Sequence, residues 1–344
     1  MHFSHINSLR GIAILMVVLV HTSQLFTFNT RVEEVIFDYG KMGVQLFFIA
    51  SAYTLCLSED SRKKEGQHLI KFYIRRFFRI FPIYYLGIIL YFILNYYSGT
   101  YGAYTFKNVL SNLFFIHGLI PSANNSIVPG GWSIGTEMLF YLIFPFLFRF
   151  LKSGNSFIKG AIIIFVAELV IFYFQRKPSF NYEFFYFNIL NQISVFVIGI
   201  FFFLHKKYLT NERNAIIIFV IFTAIALFVS GNQDLFKIKG YRYAFRILPI
   251  ISAISFCSLF VIAESFNIVN NIVFQKIGIN SYSIYIIHFV LPFFILPKME
   301  GYVNFIMAYV IIVTSSYVIS KLLNTYVEKP FISLGNRIIK SIKD

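Results

Sequence analysis

Two residues of the first apolar stretch, SLRGIAILMVVLVHTSQLF, carry side chains that could do chemistry: Arg10 and His21. On a helix rising 1.5 Å per residue they lie about 16 Å apart and, after about three turns, on nearly one face. Histidine takes and returns a proton near neutral pH. Inside a bilayer an ionisable group is disfavoured unless it has a partner, water or a task. His21 therefore reads as a general base or as a residue bonded to a neighbouring helix. Arg10 reads as its companion on that face or as an anchor at the helix mouth.

A second group lies in KFYIRRFFRIFPIYYL. Arg76 and Arg79 share a helix face and Arg75 stands to one side. Arginine forks grip phosphate oxygens in pairs. The cluster suits a polyanion such as the pyrophosphate and 3′-phosphate of coenzyme A, or anionic lipid headgroups. Pro82 then opens or kinks the third span.

A third lies in PGGWSIGTEMLFYLIFPFL, where Pro129, Gly130 and Gly131 break the chain before a helix carrying Trp132, Ser133 and Glu137. A carboxylate near a helix N-terminus is electrostatically comfortable. Five residues inside an apolar span, Glu137 is expected to face protein or a cavity. Trp132, the only tryptophan, is either a belt residue at the membrane interface or a flat platform for a sugar ring. In GINSYSIYIIHF, Ser281, Tyr285 and His288 recur at i, i+4 and i+7, a polar stripe that lines a cavity or a helix seam. Glu168 and Glu328 are further acids, the latter expected to be a solvated, lysine-paired end. GVQLFFIASAY reads as a helix-packing segment. No phosphate loop, H-E-x-x-H, Cys-x-x-Cys, G-x-S-x-G or nucleotide-binding glycine pattern occurs, and no metal is expected.

The elements that must hold these residues follow from composition. The chain has 344 residues, 58% of them hydrophobic and only 13% charged, where a soluble domain carries about a quarter charged. Forty-five Phe and twenty-three Tyr exceed what one globular core can hide. The expectation is an all-α polytopic membrane protein with one domain over residues 1–344. Ten segments are long and apolar enough to span: 9–28, 41–58, 80–97, 132–149, 160–175, 184–204, 214–230, 247–264, 281–297 and 302–321. The apolar piece 109–120 is too short and is expected to be interfacial or re-entrant.

The net charge of +15 fits membrane topology better than nucleic acid. With both termini cytoplasmic, 20 of the 30 Lys and Arg fall inside. Cys56 and Cys257 lie in apolar segments and read as core residues. The first helix has no small-residue cleavage site after it and is expected to be retained. No internal repeat is visible.

Six motifs in this order resemble the acyltransferase-3 family of integral-membrane acyltransferases: LRGIAILMVVLVH, GVQLFFIASAYTL, RRFFRIFPIYYL, WSIGTEMLFYLIFP, SYSIYIIH and YVEKPF. The resemblance implies transfer of an acyl group, usually acetyl, from cytosolic acyl-CoA to a hydroxyl. The acceptor would be a bacterial surface glycan (O-antigen, capsule or exopolysaccharide) or its lipid-linked precursor. It implies a multi-pass protein of the bacterial inner membrane. The family's Arg-x10-His pattern falls on Arg10 and His21, its donor-binding Arg-x-x-Arg on Arg76 and Arg79, and its Trp-Ser…Glu on Trp132, Ser133 and Glu137. The chain departs at Gln45, where Asp is frequent, and at Ala52, where Gly is usual. Larger members carry a fused extracytoplasmic esterase-like domain, for which this chain has no room.

The expected mechanism follows. Arg75, Arg76 and Arg79 hold acetyl-CoA, His21 acts as general base, and Glu137 orients its imidazole. Trp132, Ser133, Tyr285 and His288 meet the acceptor. Direct transfer and an acetyl-histidine are both open. The rival is a transporter or flippase of a lipid-linked glycan, whose paired interrupted helices in two repeated halves are not visible.

Overall fold

Within a bilayer every backbone N–H and C=O must be satisfied inside its own segment, so apolar runs of this length wind into helices. The computed structural model describes residues 4–62, 65–177, 180–208, 211–238, 241–292 and 302–342. The helices are α1 (Ser4–Ser23), α2 (Arg31–Asp38), α3 (Gly43–Ser61), α4 (His68–Tyr97), α5 (Phe106–Leu113), α6 (Gly131–Lys152), α7 (Ser156–Gln175), α8 (Tyr182–Phe187), α9 (Ile189–His205), α10 (Glu212–Gly231), α11 (Ala244–Ser265), α12 (Ile272–Ile279), α13 (Ser281–Ile287), α14 (Tyr302–Leu323) and α15 (Lys329–Ser341). A two-residue hairpin, β1 (Lys237–Ile238) with β2 (Tyr241–Arg242), pairs Lys237 with Arg242 between α10 and α11. Among the described residues nine helical segments are long and apolar enough to cross a membrane. They match nine of the ten expected spans. The tenth, 281–297, begins as α13, and its part beyond residue 292 lies outside the described residues, as do Lys63, Lys64, Lys239, Lys298 and Lys343 of the charge count.

Helix α1 runs through the middle, against α3, α11, α12, α13 and α14. Close approach is made possible by missing side chains. A Cβ at Gly278 of α12 would sit 1.7 Å from the Asn7 carbonyl oxygen of α1, and one at Gly43 of α3 would sit 2.4 Å from that of Ala13. The periphery is apolar outward: Phe165, Val166 and Leu169 of α7 and Ile217, Val220 and Ile221 of α10 are exposed, as lipid-facing positions require.

The two described ends of the chain lie at the same end of the bundle. Asn270 donates to Ser4 Oγ (3.0 Å), Glu264 lies 3.1 Å from His5, and Lys206 pairs with Glu264. Lys152 pairs with Asp60, His68 with Glu59 (2.8 Å), and Gly335 of α15 lies on Phe78 of α4. The opposite end is tied by Arg31 to the Gly231 carbonyl and by Asn188 Nδ2 to the Gly118 carbonyl (3.0 Å).

Helix α4 begins at His68, twelve residues before the expected start at 80, and Pro82 lies inside it. Arg75, Arg76 and Arg79 are therefore on the helix itself and not in the segment before it. Basic residues in the first turns hide a helix from an apolar window, while their long stems still cover apolar surface. Segment 109–120 does not span. It forms the end of α5 and a short turn, with Asn108, Ser111, Asn112 and His117 buried beneath it. Asn108 Nδ2 donates to the carbonyls of Ala103 (2.9 Å) and Ser122 (3.1 Å), which folds this loop onto itself.

Candidate active site

Three cavities follow one another through the bundle. The first, about 270 Å³ at the end that holds the termini, is lined by Arg62, Arg75, Arg76 and Arg79, with Ile332 and Asn336 of α15 as its far wall. Arg75 makes a double bond pair with Glu65, at 3.2 and 2.9 Å. That guanidinium holds the Glu65 carboxyl below the usual carboxylate range. Arg76 lies over the rings of Phe72 (5.7 Å) and Tyr141 (5.6 Å), and its Nε is buried without a hydrogen-bond partner among the described residues.

Arg79 also lines the second cavity, a neck of about 70 Å³. Here Arg10 bonds Thr54 Oγ1 at 3.3 Å. Glu137 Oε1 accepts from Ser51 Oγ (2.5 Å) and Tyr141 Oη (2.6 Å). One acid and two arginines thus face a common space, and the short bonds from two hydroxyls fix the carboxylate. Val44, Phe47, Phe48 and Ser51 line the same neck. Their i, i+3, i+4, i+7 spacing puts one face of α3 along it.

Val44 and Tyr285 are shared with the third cavity, a chamber of about 580 Å³ at the opposite end. His21, Gln24, Lys41, Asn125 and Trp132 line it. His21 Nδ1 lies 3.3 Å from Gln24 Oε1. The His288 ring is 5.4 Å away, centre to centre. His288 is fully buried. Its Nδ1 faces the carbonyls of Tyr285 (2.8 Å) and Ile284 (3.2 Å), which only accept, so Nδ1 carries the hydrogen. Its Nε2 has no hydrogen-bond partner among the described residues.

The start of α6 ties neck to chamber. Gly130 has φ +74°, a conformation that suits glycine. A Cβ there would also stand 2.8 Å from Tyr285 Oη. Tyr285 Oη donates to the Gly130 carbonyl (2.9 Å) and accepts from Ser133 Oγ (2.8 Å). From behind, His117 Nε2 bonds the Gly131 carbonyl at 3.0 Å, and its ring stacks on Tyr84 at 5.6 Å. Burial pushes His117 below its ordinary range, which disfavours the charged ring. Trp132 stacks on Phe187 (4.4 Å, 17°), packs against Phe48 and Tyr186, and presents what remains to the chamber.

The structure brings Arg10, Arg79, Ser133, Glu137 and Tyr285 together in the neck, and His21, Trp132 and Tyr285 in the chamber. It does not bring Glu137 to His21: the carboxylate is engaged by Ser51 and Tyr141 in the neck. Glu328 is not a solvated end. It is buried, accepting from Ser283 and from Asn324 (3.4 Å), on a wide helical turn that points it inward. Glu168 is taken by Arg246 in a pair between α7 and α11. Gln45 donates to Gln192 Oε1 at 3.1 Å.

Ser51, Tyr141, Lys41, Arg62 and Asn336 were not expected at the site. The α3 stripe ending at Ser51, and Tyr141 one turn beyond Glu137, were visible signals. Asn336 had none.

A family model described as acyltransferase domain matches residues 3–325. Among curated proteins, the chain is 30% identical over 114 residues to exopolysaccharide production protein ExoZ of Rhizobium meliloti, 31% of this chain and 34% of that protein. It is 30% identical over 167 residues to peptidoglycan O-acetyltransferase OatA of Listeria monocytogenes, 43% of this chain and 24% of that protein. The matches thus span about a third and a quarter of those relatives' lengths. No solved structure matches the chain.

Proposed function

The chain belongs to the acyltransferase-3 family, and from that premise we propose that it moves an acyl group, acetyl first of all, from acyl-CoA to a hydroxyl of a surface glycan or its lipid-linked precursor. The end holding the termini and the arginine cavity faces the cytoplasm of a bacterial inner membrane, and the His21 chamber faces outward. The observation that carries this reading is the series of cavities joined by Arg79 and by Tyr285. A donor with phosphates at one end and a thioester on a thin arm at the other fits arginines, then a neck, then a histidine chamber.

In this reading Arg76 and Arg79 hold the phosphates; Arg75 is already matched by Glu65. The arm lies along the neck, where Ser51, Ser133 and Tyr285 offer hydroxyls. Glu137 keeps Ser51 and Tyr141 in place and balances Arg10 and Arg79. In the chamber a His21 nitrogen takes the proton of the acceptor hydroxyl as its oxygen attacks the thioester carbonyl. The C–O bond forms, the C–S bond breaks, and the proton passes from His21 to the leaving sulfur. Trp132 and Tyr285 position the acceptor, and the buried His288 backs the His21 ring and does not meet the acceptor itself.

The test uses purified protein in liposomes, acetyl-CoA labelled in the acetyl group, and surface polysaccharide from the source cells. Label is expected on the glycan with wild-type protein and absent with His21→Gln, while both insert equally. Near-wild-type transfer by His21→Gln removes His21 from the mechanism. Glycan movement without label would return the chain to the transporter reading.

A further inference from the structure

Two more cavities open beside the His21 chamber, and neither belongs to the donor path. One, of about 500 Å³, is lined by Tyr182, Tyr186, Gln233, Lys237 and Arg242. The other, of about 220 Å³, is lined by Ser122, Asn124, Asn125, Ser126 and Asn181. Both are built on α8. Tyr186 is common to the chamber and the first; Asn125, Ser126 and Phe187 are common to the chamber and the second; Glu183 lines both flanks. Tyr182 and Tyr186 are one turn apart on one face of α8, and Phe184 and Phe187 lie on another. The chamber is thus the middle of a groove that continues on two sides of a single helical turn.

That turn is fixed. Asn181 caps it by accepting from the Phe184 N–H (3.0 Å), Thr136 of α6 donates to the Phe187 carbonyl (2.7 Å), and Trp132 stacks on Phe187. Its flanks carry amides, hydroxyls and tyrosine rings, with the charged Glu183, Asp234, Lys237 and Arg242 among them. Amides and hydroxyls both give and accept hydrogen bonds, as sugar hydroxyls do, and aromatic faces match the apolar face of a pyranose. Asn124 supplies a further sign. It is 3% exposed, and its Oδ1 is buried with no partner among the described residues. An unmet buried acceptor is costly, and a ligand hydroxyl reaching it would offset that cost. The chamber, of about 580 Å³, lies within the ordinary range for small-ligand sites and takes a sugar ring with room to spare toward both flanks.

We propose that the two flanking cavities are acceptor subsites, so the acceptor is a glycan of three or more sugars, modified on an internal residue, and not a lone sugar or a single lipid-linked sugar. This rests on the acyl-transfer reading of the His21 chamber.

The experiment offers the full-length protein, in liposomes with labelled acetyl-CoA, fragments of the source cells' surface polysaccharide graded from one sugar upward. KM is expected to fall at least tenfold between one sugar and fragments of three or more, then level off. Arg242→Gln on one flank and Asn124→Leu on the other are each expected to raise the KM of the longest fragment by about tenfold, toward that of the single sugar. The exposed Arg242 serves where the buried Asn124 variant does not fold. Equal KM at every length overturns the subsites and leaves acyl transfer standing. So does transfer only to a lipid-linked single sugar. Consumption of acetyl-CoA without label on any fragment overturns the glycan-acceptor reading, and the subsites with it.

Discussion

Arg79 stands where the arginine cavity meets the neck, while Arg75 a turn earlier is tied to Glu65. The two arginines should therefore not be equivalent. Arg79→Ala is expected to raise the KM for acetyl-CoA by tenfold or more, about 1.4 kcal/mol. Arg75→Ala is expected to change it less than about threefold, because removing a charge already matched by a half-buried carboxylate near the surface loses little. Steady-state kinetics on both variants decides, and equal effects would sink this division of labour. At this scale much of the site was legible. Helix arithmetic alone put Arg10 and His21 on one face, and they line successive cavities of one path. Of the two partners of Glu137, Tyr141 lies one turn on in the same helix and was within reach of helix arithmetic, while Ser51 was not, because it comes from a different helix. Which helices touch is not written in the spacing of either one. The same holds for Glu328, whose neighbouring lysine in sequence, Lys329, points elsewhere while Ser283 reaches it.

At the scale of elements, long apolar runs announced themselves, and nine appear as helices near the expected places. Besides α15 (Lys329–Ser341), what escaped were the short ones: α2, α5, α8 and α12 have six to eight residues, too few to carry a clear period. The early start of α4 escaped because its first turns are charged. The seam between α1 and α12 was also hidden, although it sets the position of Arg10. Gly278 meets the Asn7 carbonyl there more closely than any side chain permits. Gly278→Ala must push two backbones apart, a change that costs about 1–3 kcal/mol or more in a filled interior. Its melting temperature in detergent should fall clearly below wild type, with donor affinity weakened as Arg10 moves. An unchanged melting temperature would mean that the seam is not tight.

For the whole molecule, the charge count foresaw that both ends of the chain share a side, and the described ends do so. Which side faces the cytoplasm is open to a direct test. Cys56 and Cys257 are buried, so background labelling is low. Ser98→Cys, in the loop at the chamber end, should react with a membrane-impermeant thiol reagent in intact cells. Ser153→Cys, at the arginine end, should react only after permeabilisation, and the reverse pattern would invert the orientation. The series of cavities itself could not be foreseen, since it arises from faces of α1, α3, α4, α6 and α13 that meet only in three dimensions. Its neck has one more consequence. A space of about 70 Å³, with two guanidinium groups in its wall, admits a thin chain and only a few water molecules. In the proposed setting, a bacterial inner membrane, energy is stored as a proton difference, and a wide wet opening would drain it. In that reading the neck lets a thin donor arm through while it stays sealed to current. Liposomes carrying the protein should hold an imposed pH difference about as long as empty ones.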